Sequence, residues 1–199
     1  DPDKLALCGF SAGGHVAACA GTMWDRADLR AASGCAGQEG RPNALILGYP
    51  CITVDLEGQG DMWQLLAGGM ALSELRDMAS AEKWVSRNTP PVFLWNIYGD
   101  KLVPVEHGLR FLSALAEQDV PFECHTYMEG EHASALASPA SSLGDAVREN
   151  GHVARWFEDC VQWLAGLFGP PRLEVPQENL QSMSEDRAHL GVPPIRMEF

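Results

Sequence analysis

A wound, mainly parallel α/β sheet flanked by helices is predicted by three features of this 199-residue sequence. Four short apolar runs recur along it, segments of helical period separate them, and the first run passes through a G-x-S-x-G pentapeptide into a small-residue segment. Strands alternating with helices make βαβ units, whose right-handed crossovers predict a doubly wound sheet. Composition agrees: 46% of residues are apolar and 21% charged, the profile of one globular domain with a sizeable core.

The strands are expected at Leu5 to Phe10, Ala44 to Tyr49, Val92 to Tyr98 and Phe122 to Met128. The first three are almost continuously apolar, as strands covered on both faces should be, while the fourth alternates like an edge strand. Gly13 to Trp24, rich in alanine, predicts a helix lying close on the sheet. After Pro104, Val105, Leu109, Leu112 and Ala116 recur at helical period; near the end Val153, Trp156, Phe157, Cys160, Leu164 and Leu167 do the same before Gly169-Pro170-Pro171. The connection from Pro50 to Pro91 is less regular, with a helix expected around Leu72 to Met78, and insertions of this kind often shape a substrate pocket. A catalytic domain is therefore assigned to residues 1–169. Residues 170–199, with five prolines and an acidic middle, are expected to form a poorly ordered tail.

Charge narrows the function. Fourteen basic residues against 27 acidic ones give a net charge of −13, which repels phosphate backbones, so no nucleic-acid partner is expected. No run reaches the roughly 18 apolar residues of a membrane-spanning helix, so no membrane partner is expected either. The six cysteines form no C-x-x-C pair. They read as small buried hydrophobes of a reducing, cytoplasmic compartment, with no metal site.

Gly9-Phe10-Ser11-Ala12-Gly13 carries the chemistry. A strand entering G-x-S-x-G and a helix leaving it is the setting of a nucleophile elbow, where a strained turn exposes the serine hydroxyl at a helix N-terminus. Gly9 and Gly13 are expected to remove side chains that would collide where strand and helix approach. A serine needs a base and an orienting acid, in the chain order Ser, Asp or Glu, His for this topology. Asp100, in the turn after the third strand, is the expected acid, although an ordinary turn aspartate would look the same. Six histidines compete for the base. His15 lies one helical turn past the serine, His107 on a helix, His125 within a strand, His152 at a helix start and His189 in the tail. His132, in the loop after the fourth strand, sits at the sheet end where Ser11 and Asp100 emerge. The expected triad is Ser11, Asp100 and His132, with the Ala12 N–H in the oxyanion hole and no cofactor.

These residues resemble the α/β-hydrolase superfamily, specifically its acetyl esterase and carbohydrate-esterase-like branch. The resemblance lies in Gly9-Phe10-Ser11-Ala12-Gly13-Gly14-His15, Tyr49-Pro50-Cys51-Ile52-Thr53, Asn88 to Trp95, Asp100 to Glu106, Val120-Pro121-Phe122-Glu123 and His152 to Trp156. It covers Asp1 to about Phe168 and implies the same triad, acting on short-chain esters such as acetyl groups on sugars or xylan. A dipeptidyl-peptidase-like serine peptidase has the same triad order, and a catalytically silent binding module is the reading from another class. The resemblance also implies several strands before the elbow and a His-Gly-Gly-Gly-type oxyanion loop, whereas one strand, Leu5 to Phe10, and no such loop precede Ser11 here. The sequence thus predicts a partial α/β-hydrolase fold with N-terminal strands missing, an exposed sheet edge prone to self-association, and a small-molecule or carbohydrate ester as substrate.

Overall fold

The computed structural model describes residues 1–35, 37–56, 63 and 69–170. The tail assigned to 170–199 lies outside them from residue 171 onward, as does His189. Four strands, β1 (Ala6–Phe10), β2 (Ala44–Gly48), β3 (Val92–Ile97) and β4 (Phe122–Tyr127), form one parallel sheet in the order β1-β2-β3-β4. Each lies within a residue or so of its expected bounds. The register runs Ala6 to Ala44, Leu45 to Val92 and Val92 to Phe122, so all four strands end together at one edge.

The helices are α1 (Ala12–Met23), α2 (Ala27–Ser33), α3 (Leu72–Ala79), α4 (Glu106–Glu117) and α5 (Trp156–Phe168). Side chains along a buried strand alternate between its two faces, and the core divides accordingly. Leu45, Leu47, Val92 and Leu94 pack with Ala17 and Ala18 of α1 and with Phe111, Leu112 and Leu115 of α4. Ile46, Phe93, Trp95 and Ile97 pack on the other side with Val153, Trp156 and Cys160. Both faces are covered, as expected, yet the strand order never reverses among the described residues. The second face is closed by α5, which follows the last strand instead of linking two.

Three expectations change. The buried stripe of α4 is His107, Gly108, Phe111, Leu112 and Leu115, whereas Leu109 is exposed and Ala116 faces solvent. Two stripes of the same period coexist in this helix, and the large Phe111 ring selects the one that faces the sheet. On α5, Phe157 and Leu167 are exposed, and Trp163 joins the expected Leu164 against the core. β1 forms the expected exposed sheet edge, with β2 its one partner among the described residues, but it is not covered on both faces: Ala6, Leu7 and Cys8 are all exposed. Continuous apolarity marks a strand that can be covered on two faces without saying what covers it. The cysteines differ in the same way, since Cys51 and Cys160 are buried while Cys8 and Cys124 are exposed; all six are free thiols.

The elbow glycines also divide unexpectedly. A Cβ on Gly9 would overlap the Gly13 carbonyl oxygen and sit 2.9 Å from the Gly14 nitrogen. One on Gly14 would meet the Pro50 Cβ at 2.7 Å, while one on Gly13 would meet nothing within 4 Å. Gly9 and Gly14, not Gly13, permit the close approach. Gly9→Ala should therefore lower the unfolding free energy by about 2 kcal/mol or more, because backbone must move. Gly13→Ala, on an open helix position, should be neutral or stabilising by up to about 1 kcal/mol. Urea unfolding of the two variants checks the difference.

Candidate active site

Ser11 ends β1 and caps α1 with φ 53° and ψ −122°, a backbone conformation rarely held by a residue with a side chain. Its backbone is tied on both sides. The Ser11 N–H donates to Gly48 O at 3.0 Å, continuing the β1–β2 ladder, and its carbonyl accepts from His15 N–H at 3.2 Å and Cys51 N–H at 3.1 Å. The side chain is left facing the edge where the strands end.

Two loops bring partners to that edge. Asp100 follows β3 and His132 follows β4. Ser11 Oγ lies 2.9 Å from His132 Nε2, and His132 Nδ1 lies 2.6 Å from Asp100 Oδ2. The carboxylate can only accept, so the ring proton sits on Nδ1 and Nε2 is left to accept from the serine hydroxyl. The other carboxylate oxygen, Oδ1, accepts from the N–H groups of Leu102 at 2.8 Å and Val103 at 3.0 Å. One carboxylate oxygen thus makes the contacts of a turn aspartate and the other lies against the histidine ring. The Asp100 side chain is fully buried. Burial pushes its pKa up, but hydrogen bonds from His132, Val103 and Leu102 outweigh this and hold it below the ordinary carboxylate range. It remains an anion.

The other histidines go elsewhere. His15 turns toward Cys19, whose Sγ lies 3.5 Å from its Nε2, and packs edge-on against Trp63 at 5.0 Å. His125 pairs with Glu123 at 3.0 Å, and His152 packs against Tyr127. His107 is wholly buried, and its Nδ1 accepts from the N–H groups of Ile52 at 3.0 Å and Thr53 at 3.2 Å. It fixes the chain leaving β2, next to the elbow. Ala12 is the first residue of α1, where backbone N–H groups lack helical acceptors.

Two further groups border the Ser11–His132 pair without a sequence signal of their own. Cys51 is buried beside Ser11, its N–H donating to the Ser11 carbonyl at 3.1 Å; burial pushes its thiol up to about 11, which keeps it neutral. Tyr49, at the end of β2, sets its ring 4.9 Å from the His132 ring at 64°. The sequence marks both only as part of the Tyr49-Pro50-Cys51 stretch.

Burial also pushes the His107 imidazole down from 6.5 to about 4, with the charges of Arg110 and His15 acting in the same direction. The unfolded chain therefore binds this proton more readily than the folded one. The stability contributed by keeping His107 neutral is fully present above about pH 6.5 and is lost as pH falls toward 4, about 3 kcal/mol in all. Urea midpoints recorded across that window should fall steeply in the native chain. They should fall less in His107→Asn, whose amide oxygen can accept the same N–H groups but does not titrate.

Residues 1–169 match the sequence profile of the prolyl oligopeptidase family. The chain is 36% identical over 139 residues to endo-1,4-beta-xylanase B of Butyrivibrio fibrisolvens, covering 69% of this chain and 22% of that protein. It is 30% identical over 138 residues to an acetylxylan esterase of Xylanibacter ruminicola, covering 66% of this chain and 26% of that protein. Among solved structures, an acetyl ester-xyloside bifunctional hydrolase from Caldicellulosiruptor lactoaceticus is 31% identical with a TM-score of 0.70, over 86% of this chain and 59% of that one. A carboxylesterase from Lactobacillus plantarum is 29% identical with a TM-score of 0.67, over 84% and 60%. The chain thus spans about a quarter of these two curated relatives and about 60% of these two solved ones.

Proposed function

The chain belongs to the prolyl oligopeptidase family of α/β-hydrolases, and from that premise we propose that it is a serine esterase that removes short acyl groups, acetyl above all, from a small-molecule or carbohydrate alcohol. The observation that carries the proposal is the continuous Ser11–His132–Asp100 hydrogen-bonded chain. The acetylxylan esterase and the acetyl ester-xyloside hydrolase among its relatives support acetylated sugar as the substrate class.

In this mechanism Ser11 Oγ attacks the ester carbonyl while His132 Nε2 takes the hydroxyl proton. The tetrahedral oxyanion lies against the Ala12 N–H at the positive end of α1. Its collapse expels the alcohol, to which His132 returns the proton, and leaves an acyl-serine. Water, deprotonated by the same imidazole, then attacks the acyl carbonyl and releases the acid. Asp100 stays ionised throughout; it holds the Nδ1–H tautomer and stabilises the imidazolium. The buried carboxylate and its two backbone donors prevent the imidazole from turning.

A fluorophosphonate probe should label the chain at Ser11, and Ser11→Ala should abolish labelling. The native chain should release acetate from p-nitrophenyl acetate and from acetylated xylan. Asp100→Asn, which accepts the wrong tautomer, should lower turnover by about 10³–10⁴-fold with little loss of binding. Labelling that survives Ser11→Ala would move the nucleophile elsewhere. Cleavage of a dipeptidyl p-nitroanilide in preference to either ester would replace the esterase reading with a peptidase one.

A further inference from the structure

The loop that presents His132 is strained in an unusual way. Ala133, Ala135 and Ala137 have φ of 62°, 49° and 49°, left-handed conformations that cost an L-residue roughly 1–2 kcal/mol each. No glycine occupies these three positions to relieve the cost. A loop of this kind persists only where its surroundings leave it no alternative. Part of the restraint is internal: Ser134 Oγ donates to Glu131 O, Ala137 N–H to Ser134 O at 2.7 Å and Asn150 N–H to Ala137 O at 2.9 Å.

The external restraint converges on a single residue. Ala135 N–H donates to the Tyr49 hydroxyl at 3.1 Å, and Ala135 O accepts from Trp156 Nε1 at 2.8 Å. The main-chain donor and acceptor of one alanine are thus held by two aromatic side chains from separate elements. Both are rigidly placed. Tyr49 is buried, its N–H donates to Trp95 O at 2.7 Å, and its ring meets Trp95 edge-on at 4.9 Å. Trp156 is buried and stacks on Trp95 at 5.2 Å. Phe10, the residue before the nucleophile, touches Tyr49, Trp95 and Trp156. One aromatic block therefore carries the serine on one side and grips the histidine loop on the other.

We propose that Tyr49 and Trp156 clamp Ala135 and thereby set His132 between Ser11 and Asp100, acting as positioning residues of the site. Neither needs to touch substrate. The Tyr49 ring limits the His132 ring directly at 4.9 Å, and its hydroxyl fixes the loop three residues further on. The kinetic consequence rests on the esterase reading above; the positional one does not.

Tyr49→Phe keeps the ring and deletes the acceptor, and Trp156→Phe keeps an aromatic and deletes the donor. Each should lower kcat by about ten- to a hundredfold, as small misplacements of a catalytic group do, with KM changed less than about twofold. The low-field proton resonance of His132 Nδ1–H, which reports its bond to Asp100, should weaken or exchange faster with water in both variants. Unchanged turnover with an unchanged resonance would overturn the clamp and leave the esterase reading intact. A lower Tm with the resonance intact would also overturn it, as the mark of a merely structural role. If the native chain hydrolyses no ester yet loses the resonance in Tyr49→Phe, the clamp stands and the esterase reading falls. Should neither variant fold, hydrogen exchange in the native chain decides. A protected Ala135 amide supports the clamp, and exchange at the rate of a free peptide overturns it.

Discussion

Ser11 holds φ 53° and ψ −122° because the sheet ladder grips it from one side and the turn after β2 from the other. That constraint organises the molecule. A strand must arrive and a helix must leave within a single residue, so their backbones come close enough that Gly9 can carry no side chain. The helix then lies against Pro50, which fixes the exit of β2, and the Cys51 N–H returns to the Ser11 carbonyl. Strain at one residue is held by hydrogen bonds and contacts distributed over three elements.

Parallel topology supplies the other two groups. In a parallel sheet every strand ends at the same edge, which is where open α/β sheets place their sites. β1, β3 and β4 each deliver one residue of the Ser11–Asp100–His132 chain there. β2 delivers the supports, Tyr49 to the histidine loop and Cys51 beside the serine. His107, on α4, ties down the segment that follows β2 by accepting two backbone N–H groups. A neutral imidazole suits that task because both N–H groups already point at it, and burial keeps it neutral.

Electrostatics at the site are local. The chain carries a net charge of −13, but the carboxylate that matters is the buried Asp100, held by three donors. With no path to turn away, its charge stays directed at His132 Nδ1. The surrounding aromatic and thiol groups contribute shape and a low dielectric in place of charge, a setting in which one ion-supported hydrogen bond counts for more than it would in water.

The four strands, the elbow and the chain order Ser11, Asp100, His132 were legible in the sequence because each is written locally. Apolar runs of strand length, a glycine-framed serine between strand and helix, and an acid and a histidine just past strand ends all depend on neighbours in the chain. The phase of α4 was not, since Leu109 and Phe111 lie on rival stripes and only the facing sheet selects between them. The exposed sheet edge was expected, but the open faces of β1 were not, because apolarity records what a strand can bury and not what stands over it. Gly14 replaced Gly13 as the contact glycine for the same reason: Pro50 lies 36 positions away in the sequence and meets it only in the folded sheet. The grip of Tyr49 and Trp156 on Ala135 joins residues from β2, the last loop and α5 through hydrogen bonds to main-chain atoms, which leave no side-chain pattern to read. Local chemistry chose the candidate residues; only tertiary structure decided how firmly each is held.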